Sequence, residues 1–217
     1  PTRNVFKRTG KLLHIDFDML YFDWFPGLGD SISDFGSIKQ GELLDGTFGI
    51  RSIGSAATLY IRPFDFIAFG PYLRLEWWFS AAVTDKGYTI DLPQMSLGLC
   101  TKIILYSELM YGIYENDLYF MIQTGMRSMT NLFDKMEILT PSSQKIDILA
   151  GAVAALDLGF FLGFAIDYFD FKVGYKFCKF TIPAEQLINE ELLPASYLPF
   201  KIDMSGFTLS IGIKIEI

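Results

Sequence analysis

Residues 66–84 read FIAFGPYLRLEWWFSAAVT, and their side chains alternate in character. Ile67, Phe69, Leu73 and Trp77 belong to one set of alternate positions, which is apolar throughout. The other set carries Arg74, Glu76, Ser80 and small residues. A period of two indicates a β-strand, because successive side chains point to opposite faces. The apolar face is longer than an ordinary strand of about five or six residues needs. A strand that crosses a membrane needs about 9–11 residues, so this stretch predicts a transmembrane strand.

The composition points to the same environment. Of 217 residues, 51% are hydrophobic, 16% are aromatic and 20% are charged, and the mean hydropathy is +0.30. No run of 18 or more apolar residues occurs, which argues against membrane-spanning helices. A closed barrel is the other structure that satisfies every backbone polar group in lipid. The net charge of −7 and the absence of a basic patch argue against nucleic-acid binding.

Similar alternation recurs along the chain. It predicts eight strands, at 12–24, 47–62, 66–84, 95–107, 118–130, 146–167, 171–180 and 207–217. We expect a β-bulge near 52–57, because Arg51 and Arg62 differ in parity. Connections after the odd-numbered strands are the longer ones, and residues 183–193 within the last predict a short amphipathic helix. Outer-membrane barrels combine short periplasmic turns with longer extracellular loops. The predicted fold is therefore all-β: a single eight-stranded antiparallel transmembrane barrel over 12–217, preceded by a basic periplasmic leader at 1–11.

In this pattern the chain resembles the small outer-membrane barrels, the group that holds the outer-membrane protein A, X and W families. The resemblance covers nearly the whole chain and rests on no family-specific motif. It implies an integral protein of the bacterial outer membrane that contacts its lipid. The chain opens with polar and basic residues instead of a signal peptide, so we expect an export signal to have been removed.

A soluble lipocalin-like barrel is the competing fold, with its apolar faces inside and its charges outside. Two features favour the membrane barrel. The polar faces contain many glycines, as a crowded eight-stranded interior requires. The apolar faces are bulky and aromatic, which suits lipid and would overfill so narrow an interior.

The polar faces assign a set of charged residues to the lumen. This predicted lumen charge network consists of Asp16, Asp18, Arg74, Glu76, Lys102, Arg127, Asp157, Asp167, Asp170, Lys172, Lys176, Lys214 and Glu216. Buried charges must pair or stay hydrated, and eight strands leave an interior just wide enough for side chains. We therefore expect a lumen plugged by paired charges.

Chemistry-bearing motifs are sparse. His14 is the one histidine, and Ser96 and Ser210 have no histidine near them in the predicted barrel. Phosphate loops, zinc spacings and nucleotide-binding glycine patterns are absent. We expect no cofactor, no metal and no enzymatic activity. Cys100 and Cys178 fall on strands that are not neighbours, which favours two free thiols, while an oxidising compartment leaves a disulfide open.

Three functions follow from this interpretation. The first is a structural or surface-interaction role, with an extracellular partner bound through the loops at 26–46 and 181–205. The second, which the resemblance to the outer-membrane protein W family implies, is binding or passage of small hydrophobic molecules. It would use an apolar vestibule of Leu20, Trp78, Ile104 and Phe161. The third is a lipid-modifying enzyme.

Overall fold

The described part of the chain is built almost entirely of β-strands. The computed structural model of the protein describes residues 12–24, 38–39, 50–77, 82–84, 86–91, 93–110, 114–130, 136–149 and 154–217. At 38–39, 50–51, 77, 82–84, 109–110, 114–115 and 216 the description covers the backbone alone. The predicted leader at 1–11 and most of the 26–46 loop lie outside these residues. No helix in the described ranges is long and apolar enough to cross a membrane.

Sixteen strands run along the described residues. They are β1 (Leu13–Trp24), β2 (Ile38–Lys39), β3 (Ile50–Phe64), β4 (Ile67–Trp77), β5 (Ala82–Thr84), β6 (Thr89–Asp91), β7 (Gln94–Met110), β8 (Tyr114–Ser128), β9 (Glu137–Leu139), β10 (Lys145–Ile148), β11 (Ala154–Ile166), β12 (Phe169–Phe177), β13 (Lys179–Ile182), β14 (Leu187–Ile188), β15 (Phe200–Asp203) and β16 (Gly206–Glu216).

Eight of these strands close into an antiparallel barrel. Their order around the barrel is β1-β16-β12-β11-β8-β7-β4-β3, and β1 pairs with both β16 and β3 to complete it. Strands adjacent around the barrel are consecutive barrel strands along the chain, as in an up-and-down barrel. The predicted fold class, an all-β barrel of eight antiparallel strands, is confirmed.

The two ends of the barrel differ. At one end, here the turn end, β3–β4, β7–β8 and β11–β12 are joined across residues 65–66, 111–113 and 167–168. Both barrel termini lie there too, since His14 of β1 pairs with Glu216 of β16. The long connections leave the opposite end, here the cap end. The sequence analysis left 108–117 between two strands, but β7 and β8 pair as far as Met110 and Tyr114.

The long connections form a cap with its own sheet. Six short strands pair in the order β14-β10-β9-β6-β5-β2, and β13 pairs with β15 in a separate ribbon. A hydrophobic cluster that includes Ile138, Ile146, Phe180 and Phe200 packs these elements together. Ala155, at the start of β11, belongs to the same cluster, so the cap core continues onto the end of the barrel.

The cap corrects several predicted boundaries. The stretch 66–84 is not one strand, because β4 ends at Trp77 and 82–84 belong to the cap sheet. Likewise, 146–167 divides into β10 in the cap and β11 in the barrel. Alternation continues across these breaks because a strand over the cap core also needs one apolar face. The predicted helix at 183–193 is instead two short 3-10 helices, Ala184–Gln186 and Glu190–Leu192, separated by β14.

Burial in the barrel is inside-out. Along β11, exposed and buried side chains alternate from Ala154 to Ile166, and the exposed ones are apolar. Leu156 is 61% exposed, whereas Asp157 beside it is 1% exposed. The exterior is therefore apolar and the lumen holds the charges, which is the reverse of a soluble barrel.

A β-bulge in β1 decides which residues enter the lumen. Between Asp18 and Leu20 the strand advances two residues while β16 advances one, so Met19 is extra. The parity then reverses: Tyr21 and Asp23 are buried, and Leu20 is 40% exposed. The prediction that Leu20 faces the lumen is wrong for this reason. The β-bulge expected near 52–57 is not in β3: this strand pairs with β4 without a shift from Ile53 to Thr58, and its shift against β1 near Gly54–Ala56 comes from the extra Met19 of β1.

Ser55 stabilises this bulge, since its hydroxyl donates a hydrogen bond to the Met19 carbonyl at 3.0 Å. We expect Ser55→Ala to lower the free energy of unfolding by about 1–2 kcal/mol, because a backbone acceptor loses its partner on an apolar surface. A denaturant titration measures the change. Thr124→Ala, at another exposed position on the barrel, is the control; equal losses in both variants would contradict the assignment.

Candidate functional site

The lumen holds seven cationic side chains and seven carboxylates, all buried, in the described part of the chain. The cations are Arg62, Arg74, Lys102, Arg127, Lys172, Lys176 and Lys214, and the carboxylates are Asp16, Asp18, Asp23, Glu76, Asp117, Asp157 and Asp170. An isolated buried ion is very costly, so such residues must pair. Their contacts divide them into three clusters along the barrel.

The cap-end cluster contains Asp23, Arg74, Glu76, Arg127, Asp157 and Lys176. Asp157 accepts from Arg74 Nη2 at 3.0 Å and from Arg127 Nη2 at 3.2 Å. Glu76 pairs with Arg74, with Arg127 at 3.5 Å and with Lys176 at 3.3 Å. Lys176 also pairs with Asp23. Three cations meet three carboxylates here, so the cluster is electrically balanced.

The middle cluster contains Asp16, Asp18, Lys102, Asp170 and Lys172. The Lys172 Nζ atom lies 2.6 Å from Asp18 and 3.1 Å from Asp170. Lys102 pairs with Asp16 and lies 3.5 Å from Asp170. Two lysines thus hold three carboxylates, and hydroxyl groups supply further donors: Ser210 bonds Asp18 at 2.7 Å, and Tyr119 bonds Asp170.

The turn-end cluster contains Arg62, Asp117 and Lys214. One oxygen of Asp117, Oδ2, lies 3.2 Å from Arg62 Nη1 and 3.5 Å from Lys214 Nζ. Beside them a small cavity, with room for about one water molecule, is lined by these three residues and His14.

Aromatic side chains fill the lumen between the charges. Tyr60, Tyr72, Tyr119 and Phe161 are buried together with Cys100 and Met121. Glycines make room for these rings: a Cβ on Gly163 would lie 2.3 Å from the Tyr119 ring, and one on Gly174 would lie 2.4 Å from Phe161. Glycines were predicted on the polar faces because the interior of the barrel is narrow. Gly163 and Gly174 indeed lie directly against the large rings of Tyr119 and Phe161.

The structure places eleven of the thirteen predicted lumen charges inside the barrel. They are Asp16, Asp18, Arg74, Glu76, Lys102, Arg127, Asp157, Asp170, Lys172, Lys176 and Lys214. The position predicted for Asp167 is wrong: it lies exposed in the β11–β12 turn with φ 53°, one residue past the end of the strand. The side chain of Glu216 lies outside the description.

Three buried charges were missed by the sequence analysis. Asp23 lies in the lumen because of the bulge at Met19, and the residue types around Met19 do not predict a bulge. Asp117 was assigned to a connection, whereas β8 begins earlier, at Tyr114. Arg62 was placed at the end of the second predicted strand and given no face, yet β3 continues to Phe64 and the Arg62 guanidinium donates to the Asp65 carbonyl at 2.7 Å.

The residues proposed for an apolar vestibule are only partly brought together. Ile104 packs against the buried cluster that contains Phe161, and it also lines the turn-end cavity. Leu20 faces outward and is 40% exposed. Trp78 lies outside the described residues.

The serines considered for catalysis contact ions. Ser96 accepts hydrogen bonds from Arg74 at 3.4 Å and from Arg127 at 3.2 Å, and Ser210 donates to Asp18. Within the described ranges, no group of three or more His, Cys, Asp or Glu side chains is arranged to hold a metal ion. These hydroxyl groups belong to the ion clusters.

Cys100 and Cys178 are both free and buried, which decides between the two alternatives left open by the sequence. Cys100 lies in the lumen, whereas Cys178 lies in the cap core. Burial raises the pKa of the Cys178 thiol, which makes its reactive thiolate scarce.

We expect neither thiol to react with iodoacetamide in the folded protein, and both to react after unfolding. Mass spectrometry of the labelled chain under non-reducing conditions checks this. Labelling of Cys178 in the folded protein at the rate of a free peptide thiol would contradict the buried cap core.

These features define the class of molecule: a closed eight-stranded barrel with an apolar exterior and a charged interior, the arrangement of transmembrane barrels. No protein-family model and no curated protein matches the sequence. Among solved structures, the chain is similar to Ail, the attachment invasion locus protein of Yersinia pestis. The TM-score is 0.43 and the sequence identity 10%, over 94% of this chain and 97% of that chain.

The pairing of Lys176 with Asp23 and Glu76 supports a double-mutant test. We expect Lys176→Met to cost about 3–5 kcal/mol of unfolding free energy, because it leaves two buried carboxylates short of a cation. Adding Asp23→Asn should recover part of this loss. Denaturant titrations of the two single variants and the double variant measure the coupling.

Lys179→Met is the matched control, since Lys179 pairs with Asp203 on the exposed cap ribbon. We expect a much smaller effect there, because solvent screens an exposed pair. Equal losses for Lys176→Met and Lys179→Met would show that the lumen pairs contribute no more than surface pairs.

Proposed function

We propose that this chain is an integral outer-membrane protein of bacteria with a structural or surface-interaction role and no enzymatic activity. The observation that carries the proposal is the inside-out burial of the barrel. Large apolar side chains such as Leu97, Leu156 and Phe207 are exposed, while fourteen charged residues are buried. In water this arrangement would leave a wide apolar surface exposed, which soluble monomers rarely do. In lipid both surfaces are satisfied.

The dimensions fit a membrane. β11 has 13 residues, which at about 3.3 Å per residue and a tilt near 45° gives a height of about 30 Å. This matches the hydrocarbon core of a bilayer. Exposed aromatic rings lie at both ends of the barrel: toward the cap end Trp24 stacks on Phe207 at 5.8 Å, and at the turn end Tyr168 and Phe169 are exposed. Trp and Tyr favour the depth of the head groups.

The filled lumen favours a role that does not depend on a pore. Ion clusters at three levels and the aromatic rings between them occupy the interior. A conducting path would require these buried pairs to separate, and breaking one such pair costs several kcal/mol. We therefore propose that the barrel is plugged and serves as an anchor.

The cap is the part that would meet an extracellular partner. It has its own hydrophobic core, so it would present a preformed surface instead of flexible loops. Within it, residues 181–205 contribute β14, β15 and the short helices. The 26–46 segment, the other loop proposed to bind a partner, lies outside the described residues except for β2.

The alternatives receive less support. Passage of small hydrophobic molecules would need an apolar vestibule, whereas Leu20 faces outward and Phe161 and Ile104 belong to the packed filling of the lumen. A lipid-modifying enzyme would need a nucleophile activated by a base, and the hydroxyl groups of Ser96 and Ser210 contact ionic side chains instead. Incubation with labelled lipid A or phospholipid tests the enzymatic alternative, and uptake of hydrophobic solutes into liposomes tests transport.

We expect the protein in detergent to run on gels at different positions before and after boiling, because a closed barrel in micelles resists mild unfolding. In planar bilayers it should show no steady channels. A single gel position together with solubility in the absence of detergent would overturn the membrane assignment. Large, uniform channels would overturn the plugged lumen while leaving the membrane assignment in place.

A further inference from the structure

The exposed surface of the cap is polar except at one place. Among the described residues of the cap, two large apolar side chains are exposed: Leu149 is 42% exposed and Ile188 is 40% exposed. Apart from alanine, glycine and proline, the other exposed residues of the described cap are polar or charged. Exposed apolar residues that are scattered singly are ordinary, whereas two that lie together mark a contact surface.

Leu149 and Ile188 are neighbours on the outer face of the cap sheet. Ile188 of β14 pairs with Asp147 of β10. Leu149 is the next residue but one after Asp147 and therefore lies on the same side of the chain. Its amide donates a hydrogen bond to the Gln186 carbonyl at 2.8 Å, which keeps it beside β14. The two exposed side chains form one surface, here the Leu149–Ile188 patch.

The patch lies on the edge of the cap sheet that is nearest to the barrel. One row of paired residues runs across the sheet and consists of Ile188, Asp147, Glu137 and Asp91. Asp91 ends β6, and the barrel strand β7 begins soon after it, at Gln94. This row therefore adjoins the barrel, and Leu149 lies on the barrel side of it.

The apolar exterior of the barrel reaches the same region. Ala155, at the start of β11, is buried in the cap core together with Ile148, the inner neighbour of Leu149. Leu156, the outward neighbour of Ala155, is 61% exposed. Because Leu149 and Leu156 lie outside one shared core, the patch continues the apolar exterior of the barrel onto the cap.

The charges around the patch favour the uncharged part of a lipid. Lys145 pairs with Glu137 and lies 3.3 Å from Asp147, so one cation serves two carboxylates. Glu185 and Glu190, just before and just after β14, are exposed. These acidic surroundings would repel an anionic head group, whereas an acyl chain carries no charge.

We propose that the Leu149–Ile188 patch inserts into the acyl chains of the membrane leaflet on the cap side, so that lipid covers this edge of the cap. Apolar surfaces of this kind lie about 5–10 Å into the boundary between head groups and acyl chains. The inference rests on the proposed function, because it requires the barrel to lie in a membrane.

Fluorescent labels on introduced cysteines test the proposal in the full chain, reconstituted into phosphatidylcholine vesicles. Leu149→Cys and Ile188→Cys place a label on the patch, and Leu156→Cys places one on the barrel exterior. Lys145→Cys is the matched control, because Lys145 belongs to the next row outward, opposite Leu139. Lipid with a doxyl group near the carboxyl end of its acyl chain quenches labels in the membrane, and iodide quenches labels in water. We expect the doxyl lipid to quench the patch labels about twofold more than the Lys145 label, as insertion to this depth implies.

Gel mobility before and after boiling establishes that each variant is folded, and if one patch variant fails to fold, the other decides. The wild type, whose Cys100 and Cys178 are buried, gives the labelling background. Iodide quenching of the patch labels, combined with doxyl quenching of the Leu156 label, would overturn this inference and leave the membrane assignment in place. Protection of the patch labels from both quenchers would also overturn it, since protein and not lipid would then cover the patch. Iodide quenching of the Leu156 label would overturn the proposed function itself.

Discussion

Charge pairing inside a narrow tube is the constraint on which the rest of the structure depends. Among the described residues, seven cations and seven carboxylates are buried within one eight-stranded barrel, and burying an ion is tolerable only if its partners are in place. The partners come from strands far apart in sequence: Asp18 pairs with Lys172, and Arg74 pairs with Asp157. The pairs form only when the barrel has closed in the correct register, so the lumen selects one closed arrangement over its shifted alternatives.

The interior of the cap differs in character from the interior of the barrel. Its interior is apolar, with Ile138, Phe180 and Met204 among its buried residues, whereas the barrel interior is ionic. The chain leaves the barrel and enters the cap between Phe177 and Lys179. The buried side chain is the charged Lys176 on the barrel side of this point, and Cys178 and Phe180 on the cap side. The boundary between barrel and cap is therefore shown by whether the buried side chains are charged or apolar, and not by the alternation of buried and exposed positions, which continues through both.

The sequence was sufficient for the barrel and insufficient for its cap. Long alternation in 154–166 and 206–216 identifies strands because every second side chain faces lipid or lumen. Because of the same alternation, the sequence analysis joined residues 82–84 to the barrel strand before them. A period of two indicates a strand but does not indicate whether that strand covers the lumen or the cap core. The insertion at Met19 could not be read from the sequence because any residue can occupy a bulge, so Leu20 was assigned to the wrong face and Asp23 was missed. The His14 cavity depends on distant strands meeting, which a linear pattern cannot show.

The shared core of the cap has a consequence for immune recognition. Segments around Ile90, Ile138, Ile148 and Leu187 meet in one cluster, so the outermost surface is a mosaic of stretches separated by many residues. Antibodies raised against the purified protein would recognise a discontinuous epitope on the cap that short synthetic peptides fail to reproduce. Substitutions would be tolerated best at the outward member of each alternating pair, because its inward neighbour packs in the shared core.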